Sequence, residues 1–176
     1  MHARLWRRFQ WPGYAVLALA ITACSRALPV TTVVLVRHAE RPSGADPELS
    51  TEGHARAESL AVSLARAEVN AIIHTQFRRT MQTAQPLAAR KGITPIVLTA
   101  TGPESLHTQA VVDRIRTLTG QTVVYVGHSN TVPGVIQRLG IAPAPAIADT
   151  EYGHLFIVTL KAGEPATMVR AKYGKQ

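Results

Sequence analysis

Four short apolar runs constrain this chain more than any other feature. They fall at residues 32–36, 71–74, 95–98 and 122–127, and the first and last, around Val33-Val34-Leu35-Val36 and Val123-Val124-Tyr125-Val126, show no polar residue at alternate positions. A strand with one wet face alternates, whereas a strand covered on both faces does not. Runs of this kind separated by helical segments predict a mostly parallel sheet with helices on both sides. The first helix opens at Ser50 or Thr51, a good N-cap type, and carries Leu60 and Leu64 one turn apart. The second runs from about Arg78 to Arg90 and stops at Gly92, with Pro86 inside expected to kink or split it. The third covers about 103–118 and the fourth about 131–139. Residues 154–160 and 166–170 predict a final hairpin or edge. The expected fold is α/β, a three-layer α/β/α sandwich with a mostly parallel central sheet, in one domain spanning 32–176.

The N-terminus stands apart from this pattern. Arg4, Arg7 and Arg8 precede an apolar run over residues 14–23, too short to span a bilayer and arranged like an export signal. Cys24 follows directly in Ile21-Thr22-Ala23-Cys24, which resembles a bacterial lipobox, so the expectation is a signal peptide over 1–23. Cys24 is then the lipidated residue of a cell-envelope lipoprotein, with a short tether over 24–31. An ordinary signal peptide cut near the same place is the alternative. Loss of 1–23 removes three arginines and no acid, which takes the formal charge from +8 to +5. Cys24 is the only cysteine, so no intrachain disulfide and no cysteine nucleophile within the fold is expected. The high pI, about 10.4, comes without a basic run interleaved with aromatics, which argues against nucleic acid and fits small anionic substrates.

Chemistry concentrates where the strands end. Ligands of open α/β sheets bind beyond the carboxyl ends of the strands, at the switch in strand order. Arg37-His38, His74-Thr75 and Gly127-His128-Ser129-Asn130 all stand at such ends. Two further segments begin the first two helices, Leu49-Ser50-Thr51-Glu52-Gly53 and Thr75-Gln76-Phe77-Arg78-Arg79-Thr80-Met81-Gln82-Thr83-Ala84.

In this order the segments resemble the histidine phosphatase superfamily, which includes phosphoglycerate mutases and phosphohistidine phosphatases, over about residues 32–139. The family pattern is Arg-His-Gly, Leu-Ser/Thr-x-x-Gly, Ser-x-x-x-Arg-Ala-x-Gln-Thr-Ala and Gly-His. Ala39, Thr75 and Thr80 depart from it by small residues. The resemblance implies a phosphoglycerate mutase-like fold and a metal-independent phosphomonoesterase without a cofactor. It makes His38 the nucleophile that forms a phosphohistidine, and Arg37, Arg79 and His128 the phosphate pocket. Physical chemistry agrees, because a guanidinium fork matches phosphoryl oxygens and fixed cations stabilise the charge that moves onto them. A nucleophilic imidazole must be neutral, and the arginines are expected to lower its pKa. The motif spacing selects Arg79 and leaves Arg78 on a solvated face.

Leaving-group departure needs a proton donor, and Glu104 is the first carboxylate between the second-helix motif and Gly127-His128. Its alternative role is a first-turn residue favoured by the helix dipole. Glu40 is expected to support one of the pocket arginines, His54 to lie on the surface, and His74 to be structural or near the pocket. Rival readings are a serine hydrolase using Ser129 in a nucleophile elbow, a metal hydrolase using His38 and His128, and a non-catalytic phospholigand-binding lipoprotein. Thr131 in place of the second glycine weakens the first, and the arginines would repel the cation of the second.

Overall fold

The computed structural model describes residues 28–175; the expected signal peptide and Cys24 lie outside them. The elements run β1 (Val30–Arg37), α1 (Thr51–Ser63), β2 (Val69–His74), α2 (Arg78–Lys91), β3 (Ile96–Val97), α3 (Glu104–Arg116), β4 (Thr122–Gly127), α4 (Thr131–Arg138), β5 (His154–Lys161) and β6 (Thr167–Lys172). One six-stranded sheet has the order β3-β2-β4-β1-β5-β6. β1, β4, β2 and β3 are parallel, while β5 lies antiparallel to β1 and closes the far edge as a hairpin with β6.

Each face of β1 belongs to a different core, as its unbroken apolar run requires. Val33 and Leu35 pack with Val111, Val112 and Ile115 of α3 and Val132, Val135 and Ile136 of α4. Val34 and Val36 pack with Leu60, Ala61 and Leu64 near α1 and Ala84, Leu87 and Ala88 of α2. The three-layer α/β/α expectation therefore holds. β1 begins at Val30, two residues earlier than expected, so Val30 and Thr31 belong to the sheet and not to a tether. β3 is only two residues long, although Leu98 N still donates to the His74 carbonyl at 2.9 Å.

α2 decides against a split, one of the two outcomes expected of Pro86. It runs unbroken from Arg78 to Lys91 across Pro86, and ends on Gly92 in the left-handed conformation. Burial of Thr83 and Ala84 before the proline, and of Leu87 and Ala88 after it, holds both halves on the sheet. Its N-terminus has no side-chain cap from Phe77. Instead the Asp46 carboxylate accepts the Arg78 N–H at 3.0 and 3.3 Å, taking up one of the helix's free donors.

The sheet order decides where the site forms. The chain leaves β1, skips one place to β2 and β3, and returns through α3 to insert β4 between β2 and β1. This is a switch point, and the register sets Arg37 opposite Gly127 and His74 opposite Val126. His38 and His128 therefore leave neighbouring parallel strands at the same level.

Candidate active site

His38 follows the last residue of β1 and is 3% exposed. Its backbone N–H donates to the Gly127 carbonyl at 2.9 Å, which continues the ladder one residue past the strand. Ring Nδ1 lies 2.8 Å from the Ala39 carbonyl. A carbonyl only accepts, so Nδ1 carries the proton, and the neutral ring keeps its lone pair on Nε2. Nε2 has no hydrogen-bond partner among the described residues. The His38 pKa is lowered to about 4, chiefly by burial; the Ala39 carbonyl opposes this, and the charges of Arg37, Arg79 and Arg41 add to it. The expected direction holds, but desolvation outweighs the arginines.

The loop after His38 is fastened to α1 and α2 by the motif residues. Ala39 N donates to Thr83 Oγ1 at 2.9 Å and Leu49 N to Gln82 Oε1 at 2.8 Å. Ser50 caps α1 by accepting from Gly53 N, while Ser50 N donates to the Glu40 carbonyl at 2.9 Å. A Cβ on Gly53 would stand 2.1 Å from that same carbonyl, so only glycine lets α1 approach this closely. Gln82, Thr83 and Gly53 are thus staples of the loop that carries His38.

Two arginines flank the imidazole. Arg37, 5% exposed, donates through Nη1 to the carbonyls of Ala148 (2.8 Å) and Glu151 (3.2 Å), and its Cζ stands 4.2 Å from the Tyr152 ring centroid. Arg79 comes from the first turn of α2; its Cζ stands 4.2 Å from the Phe77 ring centroid and its Nη1 lies 3.4 Å from Asp46 Oδ1. The Nε atoms of Arg37 and Arg79 are buried without a partner among the described residues. Unmade donors on buried cations are costly, and an anion bound between the two would satisfy them. Arg78 turns outward, pairs with Glu48, and has a half-exposed side chain.

His128 faces His38 with ring centroids 5.5 Å apart. Both of its ring nitrogens are engaged: Nε2 lies 3.1 Å from Thr75 Oγ1 and Nδ1 lies 3.5 Å from Arg79 Nη2. Burial, then the Arg79 charge, lower its pKa to about 3, so it too is neutral. Its backbone N–H donates to Thr131 Oγ1, which also accepts from buried Tyr125 Oη, and Tyr125 Oη meets His107 Nε2 at 3.0 Å. A Cβ on Gly127 would fall within 2.5–2.7 Å of the Tyr125 ring, which explains glycine before this histidine.

Glu104 begins α3 and lines a cleft of about 210 Å³ together with Phe77, Arg79, His107 and His128. Its Oε2 accepts from Asn130 Nδ2 at 2.7 Å. Of the five residues expected at the pocket, Arg79, His128 and Glu104 line this cleft, and His38 joins them through its ring contact with His128. Glu40 does not support a pocket arginine as expected: it pairs with Arg56 of α1, at 2.7 Å. His54 is exposed, and His74 is buried with Nδ1 2.6 Å from the Thr75 carbonyl, a structural placement. Ser129 Oγ donates to exposed Asp149, at 3.2 Å, and meets no imidazole, which removes the geometry a serine nucleophile needs. Asp46, Tyr152 and the 148–152 loop were not legible in the sequence, since their roles depend on contacts with residues far along the chain, Arg78 and Arg37.

A larger cleft of about 430 Å³ lies around Pro29, Ile115, Leu139 and Leu160 at the other end of the sheet. Its Lys161 and Glu164 pair with each other, and it gathers none of the pocket histidines.

Fold and site define an α/β sandwich with paired histidines and arginines at its switch point. Over part of its length the chain is similar to the histidine phosphatase superfamily: the model of branch 1 matches residues 33–101. That span includes Arg37, His38 and Arg79, whereas His128 rests on its geometry. The solved structures similar to this one include three with distinct names. The protein histidine phosphatase SixA, complexed with tungstate, shares 18% identity over 80% of this chain and 96% of its own, with a TM-score of 0.64. A mycobacterial glucosyl-3-phosphoglycerate phosphatase shares 17% over 82% and 98%, with a TM-score of 0.65. A phosphoglycerate mutase from Bacillus anthracis str. Sterne shares 13% over 82% and 93%, also at 0.65. At such identities they establish the fold, and with the family match they support a phosphatase in general terms. No curated protein matches significantly.

Proposed function

We propose that the protein hydrolyses small phosphomonoesters through a phosphohistidine on His38. The observation that carries this reading is the 2.8 Å contact of His38 Nδ1 with the Ala39 carbonyl, which leaves a neutral Nε2 lone pair between two arginines. Nε2 attacks phosphorus, and the P–N bond forms as the ester P–O bond breaks. Arg37, Arg79 and His128 hold the phosphoryl oxygens and stabilise their charge. Glu104 protonates the departing oxygen, and its carboxylate then takes a proton from the water that breaks the P–N bond and releases orthophosphate. The arginines fill the role a divalent ion has in other phosphatases, so activity should survive chelation.

The test is a rapid quench of the wild-type protein with a 32P-labelled ester, followed by acid and alkali treatment. An acid-labile, alkali-stable label that is absent from His38→Ala is expected. Turnover without any such intermediate would overturn the mechanism, and binding without turnover would favour a phospholigand-binding protein.

Phosphatase is favoured over mutase on location. A cleaved export signal over 1–23 and a lipidated Cys24 would hold the protein in the cell envelope, away from a cytoplasmic phosphorylated cofactor. Cys24→Ser should release the protein from the membrane fraction or block its processing. Native mature protein free of acyl chains would remove the lipoprotein proposal.

A further inference from the structure

Three side chains on one face of α3 meet the start of α4. Glu104, His107 and Thr108 stand at i, i+3 and i+4 of the helix and so share that face. Asn130 Nδ2 donates to Glu104 Oε2 at 2.7 Å. A Cβ on Gly134 would stand 3.0 Å from Thr108 Cγ2 and 3.1 Å from Glu104 Oε1, so glycine lets the two helices approach here. The first turn of α3 depends on such contacts. It follows an exposed loop over 101–103, and among the described residues no side chain caps it at Pro103. Val111, Val112 and Ile115 hold the later turns in the core, whereas Glu104, Ser105 and Leu106 are exposed.

His107 is a buried titratable group that the proposed mechanism does not use. It is 4% exposed, although it lines the cleft beside Glu104 and His128. Tyr125, fully buried within β4, gives its single proton to Thr131 Oγ1 at 2.9 Å. The Tyr125 oxygen therefore accepts from His107, whose Nε2 lies 3.0 Å away. Thr131 Oγ1 also takes the backbone N–H of His128 at 3.0 Å. A path of hydrogen bonds thus runs from α3 under the cleft to the backbone of His128. Such a path in the core fixes the relative positions of the elements it joins. Glu104 stands one helical turn from one end of it, and His128 stands at the other. Without it, the exposed bond to Asn130 and the packing of Thr108 would be left to hold Glu104 near His128.

We propose that His107 is a positioning residue: through Tyr125 and Thr131 it sets the place of Glu104 relative to His128, and so aims the acid at the departing oxygen. This deepens the phosphatase reading and rests on it. His107 acts through Glu104, so its removal should be felt in leaving-group protonation and not in phosphoryl binding, which belongs to Arg37, Arg79 and His128.

Two variants cut the path. Tyr125→Phe removes one hydroxyl from a ring that stays buried, and His107→Leu removes the donor. His107→Gln puts an amide N–H back at about the reach of Nε2. Each purified protein is assayed on p-nitrophenyl phosphate and on an alkyl ester, glycerol 2-phosphate. Both cutting variants should lower kcat for glycerol 2-phosphate about fivefold more than for p-nitrophenyl phosphate, with KM for either ester within about twofold of wild type. His107→Gln should recover most of that loss. Equal losses on the two esters, a loss carried by KM, or a His107→Gln rate no better than that of His107→Leu would make His107 a packing residue and overturn the proposal. In a Glu104→Gln background, Tyr125→Phe should cost nothing further, because no acid is left to place, and an additive loss would also overturn it. If Glu104→Gln slows both esters alike, or wild type hydrolyses neither, the acid or the phosphatase reading falls instead. The side-chain amide resonances of Asn130 then still decide the link. Tyr125→Phe should shift them as the first turn of α3 loosens, and unchanged resonances would overturn the positioning role.

Discussion

The chain leaves β1 and β4 at the same level but in different ways, and the two histidines inherit the difference. After Arg37 it enters a thirteen-residue loop, 38–50, fastened to two helices, and the His38 ring is fixed by a carbonyl one residue away. After Gly127 it turns within three residues into α4, and the His128 ring is fixed by side chains from β2's end and α2. One imidazole is left with a free, aimed nitrogen, and the other has both nitrogens committed to neighbours. A nucleophile must have an unshared lone pair, whereas a group that supports charge on oxygen can be part of a network. The asymmetry in hydrogen bonding thus separates two residues that look alike in sequence.

The largest expected effect tests that asymmetry directly. His38→Ala should lower kcat/KM for p-nitrophenyl phosphate by at least about a thousandfold and abolish the phosphoprotein intermediate. His128→Ala should slow turnover while the protein still becomes labelled on His38. A label retained in His38→Ala, or lost only in His128→Ala, would reverse the roles.

The arginines come next. Removing one charge-stabilising donor costs roughly a hundredfold to a thousandfold, which is the loss expected for Arg79→Ala in steady-state kcat/KM. Arg78→Ala, at a half-exposed site paired with Glu48, should stay within about threefold of wild type. Similar losses at both positions would mean that the site reads the summed charge of α2 and not one guanidinium.

Glu104 should show its effect as a difference between substrates. Glu104→Gln is expected to slow an alkyl phosphate about a hundredfold more than p-nitrophenyl phosphate, because nitrophenolate leaves without a proton. An equal loss on both esters would end the acid assignment and leave Glu104 as the partner of Asn130.

Acid sensitivity tests the shared property of the two rings. Both have folded-state pKa values below the ordinary 6.5, at about 4 for His38 and about 3 for His128. Between pH 6.5 and 4 the unfolded chain therefore binds protons that the folded rings refuse, and stability falls as pH falls. Urea unfolding from pH 7.5 to 4.5 should show this decline, and a His38→Gln, His128→Gln double variant should flatten it. An unchanged slope would show that the rings are better hydrated than their burial indicates.

The sequence was most legible where one residue type has one local use. Ser50 as a cap, Gly92 as a helix stop and the unbroken apolar strands each led to the correct element, because their physics is set by near neighbours. The choice of Arg79 over Arg78 was legible from spacing. Pro86 does not split α2, since buried Thr83 and Ala84 before it and Leu87 and Ala88 after it outweigh its local penalty. Glu40 misled. It sits two residues from His38, yet the helix that packs on its backbone delivers Arg56 to it. The clamp on Arg37 is the least legible part, because it consists of two backbone carbonyls, at Ala148 and Glu151, which no side-chain motif encodes.

The smallest expected effect probes the network on His128 alone. Thr75 Oγ1 lies 2.9 Å from Thr80 Oγ1 and 3.1 Å from His128 Nε2. The Thr80 hydroxyl has its own acceptor in the Phe77 carbonyl at 2.8 Å, so the single Thr75 proton can go either to Thr80 or to His128. If it goes to Thr80, His128 carries its proton on Nε2, and Nδ1 accepts from Arg79. If it goes to His128, the proton sits on Nδ1, ready to donate to a phosphoryl oxygen. Thr75 is therefore a positioning residue whose hydroxyl fits both tautomers. Thr75→Val keeps the volume and removes that freedom; one hydrogen bond is worth about 1 kcal/mol, so a loss of about fivefold in kcat is expected. Thr75→Ser should restore the rate. Nitrogen-15 shifts of the His128 ring, taken with and without tungstate, should report a change of tautomer in wild type and in Thr75→Ser but not in Thr75→Val. The same measurement on His38 should not respond to either substitution, because its tautomer is set by the Ala39 carbonyl. A shift at His38, or a Thr75→Val rate equal to wild type, would break the separation between the two histidines.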